Sequence, residues 1–270
     1  MSVLVQISDP HFGTERAQVA AALLEFARIQ KPSLAILSGD ITQRARRHEF
    51  RAAADFVRAL EVPRCLVMPG NHDIPLFNLA ARVFWPYAAY QRAFGNDLEP
   101  EYESQALLVL CVNTTRPRRH TDGEVSEAQI ERVAARLRRA SREQLRVVVT
   151  HQPVHVISGV DRHNVLIGHE RAVRAWAAAG ADVILGGHIH LPYVRPMADA
   201  FADLPRRVWV VQAGTALSRR VRGGIPNSIN VLRHCEPSAK SCRVERWDFD
   251  ADQAAFAQVE ALDLALDRED

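Results

Sequence analysis

Lysine is almost missing from this chain. Lys31 and Lys240 are the only two, although Lys and Arg together number 34 of 270 residues. Arginine carries nearly all the positive charge, a bias that reads as coding composition as much as function. Against 32 Asp and Glu the formal net charge is only +2. The molecule as a whole therefore has no charge signature of a nucleic-acid or anionic-membrane binder. No apolar run approaches the roughly 18 residues that a membrane span needs. The N-terminus enters Val3-Leu4-Val5-Gln6-Ile7 with no basic segment before it. No signal peptide is expected, and the expected location is the cytoplasm. Cysteine is scarce, four in all with no C-x-x-C pair, which argues against a thiolate zinc site. Cys65 and Cys111 lie in apolar runs and read as small core residues. Cys235 and Cys242 could pair, but a reduced state is the simpler expectation. There is no internal repeat and no low-complexity linker. One domain over residues 1–270 is expected.

What is present is alternation. Strands are expected at about 3–7, 34–37 and 65–68, separated by helices at about 15–30 and 46–61. Apolar spacing of three and four marks the helices, and short runs bounded by Gly and Pro mark the strands. Residues 74–100 break the rhythm. They are rich in aromatics and are expected to hold two short helices. Strands resume at about 107–112, 145–150, 182–185 and 208–212. Helices are expected at about 126–139, with Ser126 as N-cap, and at about 169–179. Residues 228–232 and 242–249 read as a late strand pair, and a helix with an acidic tail is expected from about 252. Alternating β and α elements imply an α/β fold.

The residues that follow the strands carry the chemistry. After 3–7 comes "SDPHFG" with Asp9 and His11, and after 34–37 comes "SGDIT" with Asp40. After 65–68 comes "PGNHD" with Asn71, His72 and Asp73. His151 follows 145–150, and "GGHIH" with His188 and His190 follows 182–185. Each piece has an ordinary explanation alone. Asp9 could cap a turn, Asp40 could be an N-cap, Asn71 could be a turn residue, and His151 a satisfied rim histidine. The joint pattern is the signal, because five separate loops place ligand types at one sheet edge. That edge is where open α/β sheets bind ligands. The donors are nitrogen and oxygen without sulfur, which suits divalent Zn, Fe, Mn, Co or Ni. They are too many for one tetrahedral zinc and the right number for two ions sharing a carboxylate. Two such ions can clamp a phosphoester and generate hydroxide near neutral pH.

In this order, D-x-H, G-D, G-N-H-D, a lone His and G-H-x-H resemble the calcineurin-like metallophosphoesterases. The stretch "ISDPHFG…LSGDIT…MPGNHD…GGHIH" is most similar to their bacterial class III cyclic-nucleotide phosphodiesterase branch. The likeness covers roughly residues 3–215. It implies a two-sheet sandwich flanked by helices, with 74–100 as a cap-like insertion. It implies two divalent ions, of Fe, Mn or Zn. Asp9, His11, Asp40 and His190 would hold one, Asp40, Asn71, His151 and His188 the other, with Asp40 bridging. It implies that His72 faces the leaving-group oxygen and that Asp73 orients the His72 ring. A metal-bridging hydroxide would attack phosphorus in line. The implied activity is phosphodiester hydrolysis on a small nucleotide-like phosphoester. The alternatives are a nucleotide-diphospho-lipid pyrophosphatase, a broad phosphomonoesterase or, least favoured with every ligand retained, a scaffold. Pro10 and Gln152 depart from the family pattern, and Gln152 could alter contacts near the metals.

Other residues carry weaker expectations. Arg116, with Arg118, Arg119 and His120, follows the 107–112 strand and could meet a substrate anion. "SRRVRGG" at 218–224 invites the same argument more weakly. "RARRHEFR" at 44–51 reads as an exposed helix face, and His155, His163 and His169 as loop or cap residues. The aromatics of 74–100 are expected to form a satellite core, a pocket wall or a homodimer contact.

Overall fold

In the computed structural model, which describes residues 2–234 and 239–268, short apolar runs pair into two six-stranded sheets. Strands β1 (Ser2–Ile7), β2 (Leu34–Ser38) and β3 (Cys65–Met68) are parallel neighbours. β10 (Ser228–His234), β11 (Ser241–Asp250) and β12 (Ala255–Ala265) extend this sheet antiparallel, in the order β12-β11-β10-β1-β2-β3. The second sheet takes in β4 (Glu101–Glu103), β5 (Leu107–Val112), β6 (Leu145–Thr150), β7 (Val183–Gly186), β8 (Tyr193–Pro196) and β9 (Trp209–Gln212). Its order is β4-β5-β6-β7-β9-β8, with β5, β6, β7 and β9 parallel.

Because side chains alternate along a strand, each sheet has two faces to bury. Leu4, Ile36 and Met68 from one sheet meet Val109, Val147, Val149 and Leu185 from the other, forming the middle of the sandwich. On the outer face of the first sheet lie α1 (Ala17–Gln30) and α2 (Arg47–Ala59), which bury Leu23, Phe26, Phe50 and Phe56. On the outer face of the second lie α5 (Glu127–Arg138) and α6 (His169–Ala179), packed around Trp176. Ser126 caps α5 as expected, its hydroxyl accepting from the Gln129 N–H. A fully buried Leu or Val side chain contributes roughly 1.5–3 kcal/mol, so these three layers bind the two sheets to each other and to the helices.

Two segments differ in instructive ways. The expected helix after residue 252 is strand β12, which pairs with ten residues of β11. Its Ala, Leu and Glu favour helix locally, but a free hydrogen-bonding edge on β11 outweighs propensity. The last two residues of the expected acidic tail, 269–270, and Cys235 lie outside the described residues. Cys111 and Cys242 are buried and Cys65 half-buried, and Cys65 and Cys111 are free thiols.

Residues 74–100 do form two short helices, α3 (Leu79–Phe84) and α4 (Ala88–Phe94). Their aromatics divide between core and solvent. Tyr90 is fully buried against Phe50 and Phe94 and donates to the Val67 carbonyl at 2.5 Å. Phe77, Phe84 and Trp85 point out, 67–80% exposed. Tyr90→Phe orphans that carbonyl in β3. It should lower stability by about 1–3 kcal/mol in urea unfolding without changing metal content.

Candidate metal centre

The C-terminal ends of β1, β2, β3, β6 and β7 meet at one rim, and their loops approach closely enough to exclude ordinary side chains. A Cβ on Gly70 would collide with the Asp40 backbone, and one on Gly187 with Ser8 and the Asp9 carboxylate. Glycine is needed at both places because another loop passes within contact distance. The polar residues bear the strain. Of nine non-glycine residues with positive φ among those described, five are Asp9, His11, Asp40, His188 and His190. Such conformations cost free energy and persist where surrounding contacts impose them, often at functional sites.

Every expected ligand arrives at this rim. Asp9, His11 and His190 bring donor atoms together on one side, and Asp40, His151 and His188 on the other. His11 Nε2 lies 3.1 Å from His190 Nε2, and His190 Nε2 lies 3.3 Å from Asp9 Oδ1. On the other side His151 Nε2 is 3.2 Å from Asp40 Oδ1, while Asp40 Oδ2 is 3.7 Å from His11 Nε2. Donors sharing a metal at ~2.0–2.1 Å stand about 3.0–3.4 Å apart, so the separations of 3.1, 3.2 and 3.3 Å match ligand-to-ligand edges, while 3.7 Å is somewhat longer. The two carboxylate oxygens of Asp40 face the two groups, as a bridge must.

The hydrogen bonds fix which ring atom is left for a metal. His151 Nδ1 meets the Ser38 carbonyl at 2.9 Å, and His190 Nδ1 meets the Arg220 carbonyl at 2.6 Å. A carbonyl only accepts, so Nδ1 carries the proton in each ring and the Nε2 lone pair is directed to the rim. His188 is reversed: Nε2 faces Asn164 Oδ1 at 3.3 Å, and its Nδ1 is buried with no hydrogen-bond partner. Asn71 Oδ1 and His151 Nε2 are likewise buried without one. Orphaned polar atoms are costly in a protein interior. Two of them, His151 Nε2 and His188 Nδ1, belong to the donor group of Asp40, where a cation would fit.

Electrostatics agree. Asp9 and Asp40 are buried, which alone would raise their pKa values. The surrounding imidazoles outweigh burial and hold both carboxyls below the ordinary range. Burial would lower His151 too, but Asp40 wins and pushes it up to about 9. His188 goes the other way, to about 4, driven by burial and then by the His151 charge.

The remaining expected residues divide. His72 is at the rim but more open, with 19% of its side chain exposed. Its Nδ1 meets the Gln43 carbonyl at 2.9 Å, and its Nε2 lies 4.0 Å from Asp40 Oδ2. The expectation that Asp73 orients this ring is corrected. The Asp73 carboxylate accepts from the N–H groups of Ile41, Thr42 and Gly70 and from the Thr42 hydroxyl. It ties the Asp40 loop to the Asn71 loop, and the Gln43 carbonyl orients His72. Arg116 is also turned elsewhere. Its guanidinium donates to the carbonyls of Asn113 and Thr115 and to Gln129 Oε1, so its donors are engaged away from the rim. Gln152 bonds Thr114 and the Thr121 carbonyl, and so supports the 114–123 loop.

Arg220 is the functional candidate that sequence reasoning underrated. Its Nη1 stands 3.0 Å from His72 Nε2 and 3.4 Å from His11 Nδ1, which brings a guanidinium to the rim. The available signal was its place just after β9, at the same sheet edge. Arg220→Ala should raise KM about 10–100-fold, the worth of a charge-assisted hydrogen bond, and leave metal content unchanged. The His190 contact uses the Arg220 backbone carbonyl and survives the substitution. A variant with unaltered KM would remove Arg220 from the substrate site.

Residues 2–192 match the family model described as calcineurin-like phosphoesterase. Among curated proteins, a probable glycerophosphodiester phosphodiesterase from Arcobacter nitrofigilis is 26% identical over 201 residues, covering 70% of this chain and 71% of that one. A probable cyclic nucleotide phosphodiesterase from Synechococcus is 24% identical over 214 residues, covering 71% and 74%. Among solved structures, a dimetal phosphatase from Danio rerio superposes with a TM-score of 0.66 at 13% identity, covering 98% of this chain and 99% of that one. A purple acid phosphatase from yellow lupin (Lupinus luteus) gives 0.74 at 10% identity, with this chain spanning 53% of its length and 98% of its own. At these identities the solved structures speak for the fold.

Proposed function

Because this chain belongs to the calcineurin-like phosphoesterases, and is a metal-dependent phosphoester hydrolase, we propose that it cleaves a phosphodiester in a small, nucleotide-like substrate. The observation that carries the reading is the pair of donor groups sharing Asp40, with Asn71 Oδ1 and His188 Nδ1 buried and unpartnered beside it. Asp9, His11, Asp40 and His190 would hold one ion, and Asp40, Asn71, His151 and His188 the other. A nitrogen and oxygen donor set of this kind fits Fe, Mn or Zn. When bound, such a pair lowers the pKa of water and offsets charge on a phosphoryl group.

The chain's own residues do the rest. Carbonyls of Ser38 and Arg220 hold the His151 and His190 rings in one orientation, so the site is set before substrate arrives. Arg220 would donate to a non-bridging phosphate oxygen, for which a guanidinium is well shaped. His72, its Nδ1–H held by the Gln43 carbonyl, would act as the imidazolium and hand its second proton from Nε2 to the departing ester oxygen, leaving the neutral ring. The Asp73 carboxylate keeps the Asp40 and Asn71 loops at a fixed separation. The whole of 1–270 acts as one domain in this reading.

The phosphodiester preference draws support from the names of the two curated relatives. A panel of cyclic nucleotides, glycerophosphodiesters, a nucleotide-diphospho-lipid and phosphomonoesters, assayed with added Mn, tests it. The expected result is the highest kcat/KM on a diester. A preference for the pyrophosphate or for monoesters would replace the diester reading with one of those two. No turnover of any substrate by metal-replete protein would leave a scaffold.

A further inference from the structure

Twelve large hydrophobic side chains are conspicuously exposed among the described residues, and five of them, Phe77, Leu79, Val83, Phe84 and Trp85, fall within nine positions. Their exposure of 67–80% comes from a pinned scaffold. Arg82, on the same short helix, turns inward and donates to the carbonyls of Pro117, Pro75 and Arg119. Asn78 caps α3, and Tyr87 and Tyr90 fasten the following segment to Thr115 and Val67. The helix is thus held with its apolar residues outward.

Charge surrounds them with one sign. Beside α3 lies a groove of about 670 Å³ lined by Leu76, Phe77 and Trp85 and by Arg44, Arg46, Arg47 and Arg92. All four arginines are exposed, none forms an ion pair among the described residues, and Arg44 stands 5.5 Å over the Phe77 ring. From Ile74 to Asn96 there is no Asp or Glu, and the only acid between Ile41 and Ala54 is the buried Glu49.

We propose that this face docks on an anionic lipid bilayer, with Phe77, Leu79, Val83, Phe84 and Trp85 entering the headgroup boundary and the arginines meeting lipid phosphates. Aromatic and aliphatic side chains beside unpaired cations form the pattern that holds proteins in a membrane interface. A second copy of the chain suits the face less well. A two-fold contact centred here would set arginines against arginines with no acid to separate them. A single-stranded nucleic acid would use the rings, since bases stack on aromatic faces, but leaves Leu79 and Val83 without a role. Pro75 and Leu76 are separated from the Asn71–Asp73 loop only by Ile74, and Arg44 follows Gln43, so docking sets the metal centre's mouth at the bilayer. No helix among the described residues is long and apolar enough to cross a membrane, and this contact requires none.

The full chain is sedimented with phosphatidylcholine vesicles, with and without phosphatidylglycerol as about a third of the lipid. Binding should appear only with the anionic lipid. Each arginine near the surface contributes about fivefold in partitioning, so Arg44→Glu with Arg47→Glu should cost at least about 25-fold. Phe84→Ser with Trp85→Ser should abolish binding while circular dichroism shows a folded protein. Trp85 emission should shift to the blue on vesicle addition, and Trp85→Phe should lose that shift yet still bind. Asp40→Asn should bind as wild type does, separating docking from catalysis. Absence of binding to anionic vesicles overturns the proposal, as does binding that ignores lipid charge or the variants. So does a stable dimer dissolved by Phe84→Ser with Trp85→Ser, or retention of an oligonucleotide in place of vesicles.

Discussion

Asp40→Asn should reduce kcat/KM by at least about a thousandfold and lower the bound metal below two ions per chain. The scale follows from removing charge stabilisation at a buried reacting centre, where single groups commonly contribute 10²–10³-fold, and Asp40 faces both donor groups. The substitution is nearly isosteric. Asparagine keeps an Oδ1, so the 2.8 Å hydrogen bond from the His72 N–H can persist and the loop need not move. What is lost is the negative charge between His151 and His11. The measurement is metal analysis after dialysis under metal-replete conditions, beside turnover of an activated diester. Wild-type protein that holds fewer than two ions would undo the dinuclear reading. A variant that keeps both ions and activity within tenfold of wild type would show that Asp40 is not the shared ligand.

How much of this was readable beforehand follows from where the information lies. The parallel strands and their helices announce themselves because period-two and period-3.6 patterns are local. Asp9, His11, Asp40, Asn71, His151, His188 and His190 were readable because each follows such a strand directly. Strand end and sheet edge then place them together without knowledge of any long-range contact. β12 was not readable from its own composition, since its reason for being a strand is the open edge of β11, onto which the turn at 251–254 folds it back. The partner of His72 was missed for a related reason. Sequence draws attention to side chains, and Asp73 is its neighbour, but the atom that orients the ring is the backbone carbonyl of Gln43, 29 positions earlier. Arg116 and Arg220 show the same limit. Both follow strands at the right edge, and only the packing reveals that Arg116 spends its donors on its own loop and Gln129 while Arg220 reaches His72.

His72→Ala should separate a proton donor from a metal ligand. His72 groups with His11 and Asp40 closely enough to be a ligand by distance, so geometry alone admits both roles. Two observations favour the donor. The ring is more open to solvent than those of His11, His151 and His190. Its Nε2 is 4.0 Å from the nearer Asp40 oxygen, longer than the 3.2 Å of His151. A general acid contributes about 10²–10⁴-fold, and the need for it falls as the leaving group becomes a better anion. His72→Ala should therefore keep two ions per chain and lose about 10²–10⁴-fold in kcat on an alkyl or nucleoside leaving group. On a nitrophenyl leaving group, which departs without a proton, the loss should be about tenfold or less. Equal losses on both leaving groups would argue for positioning or charge in place of proton donation. A fall in metal content would place His72 among the ligands.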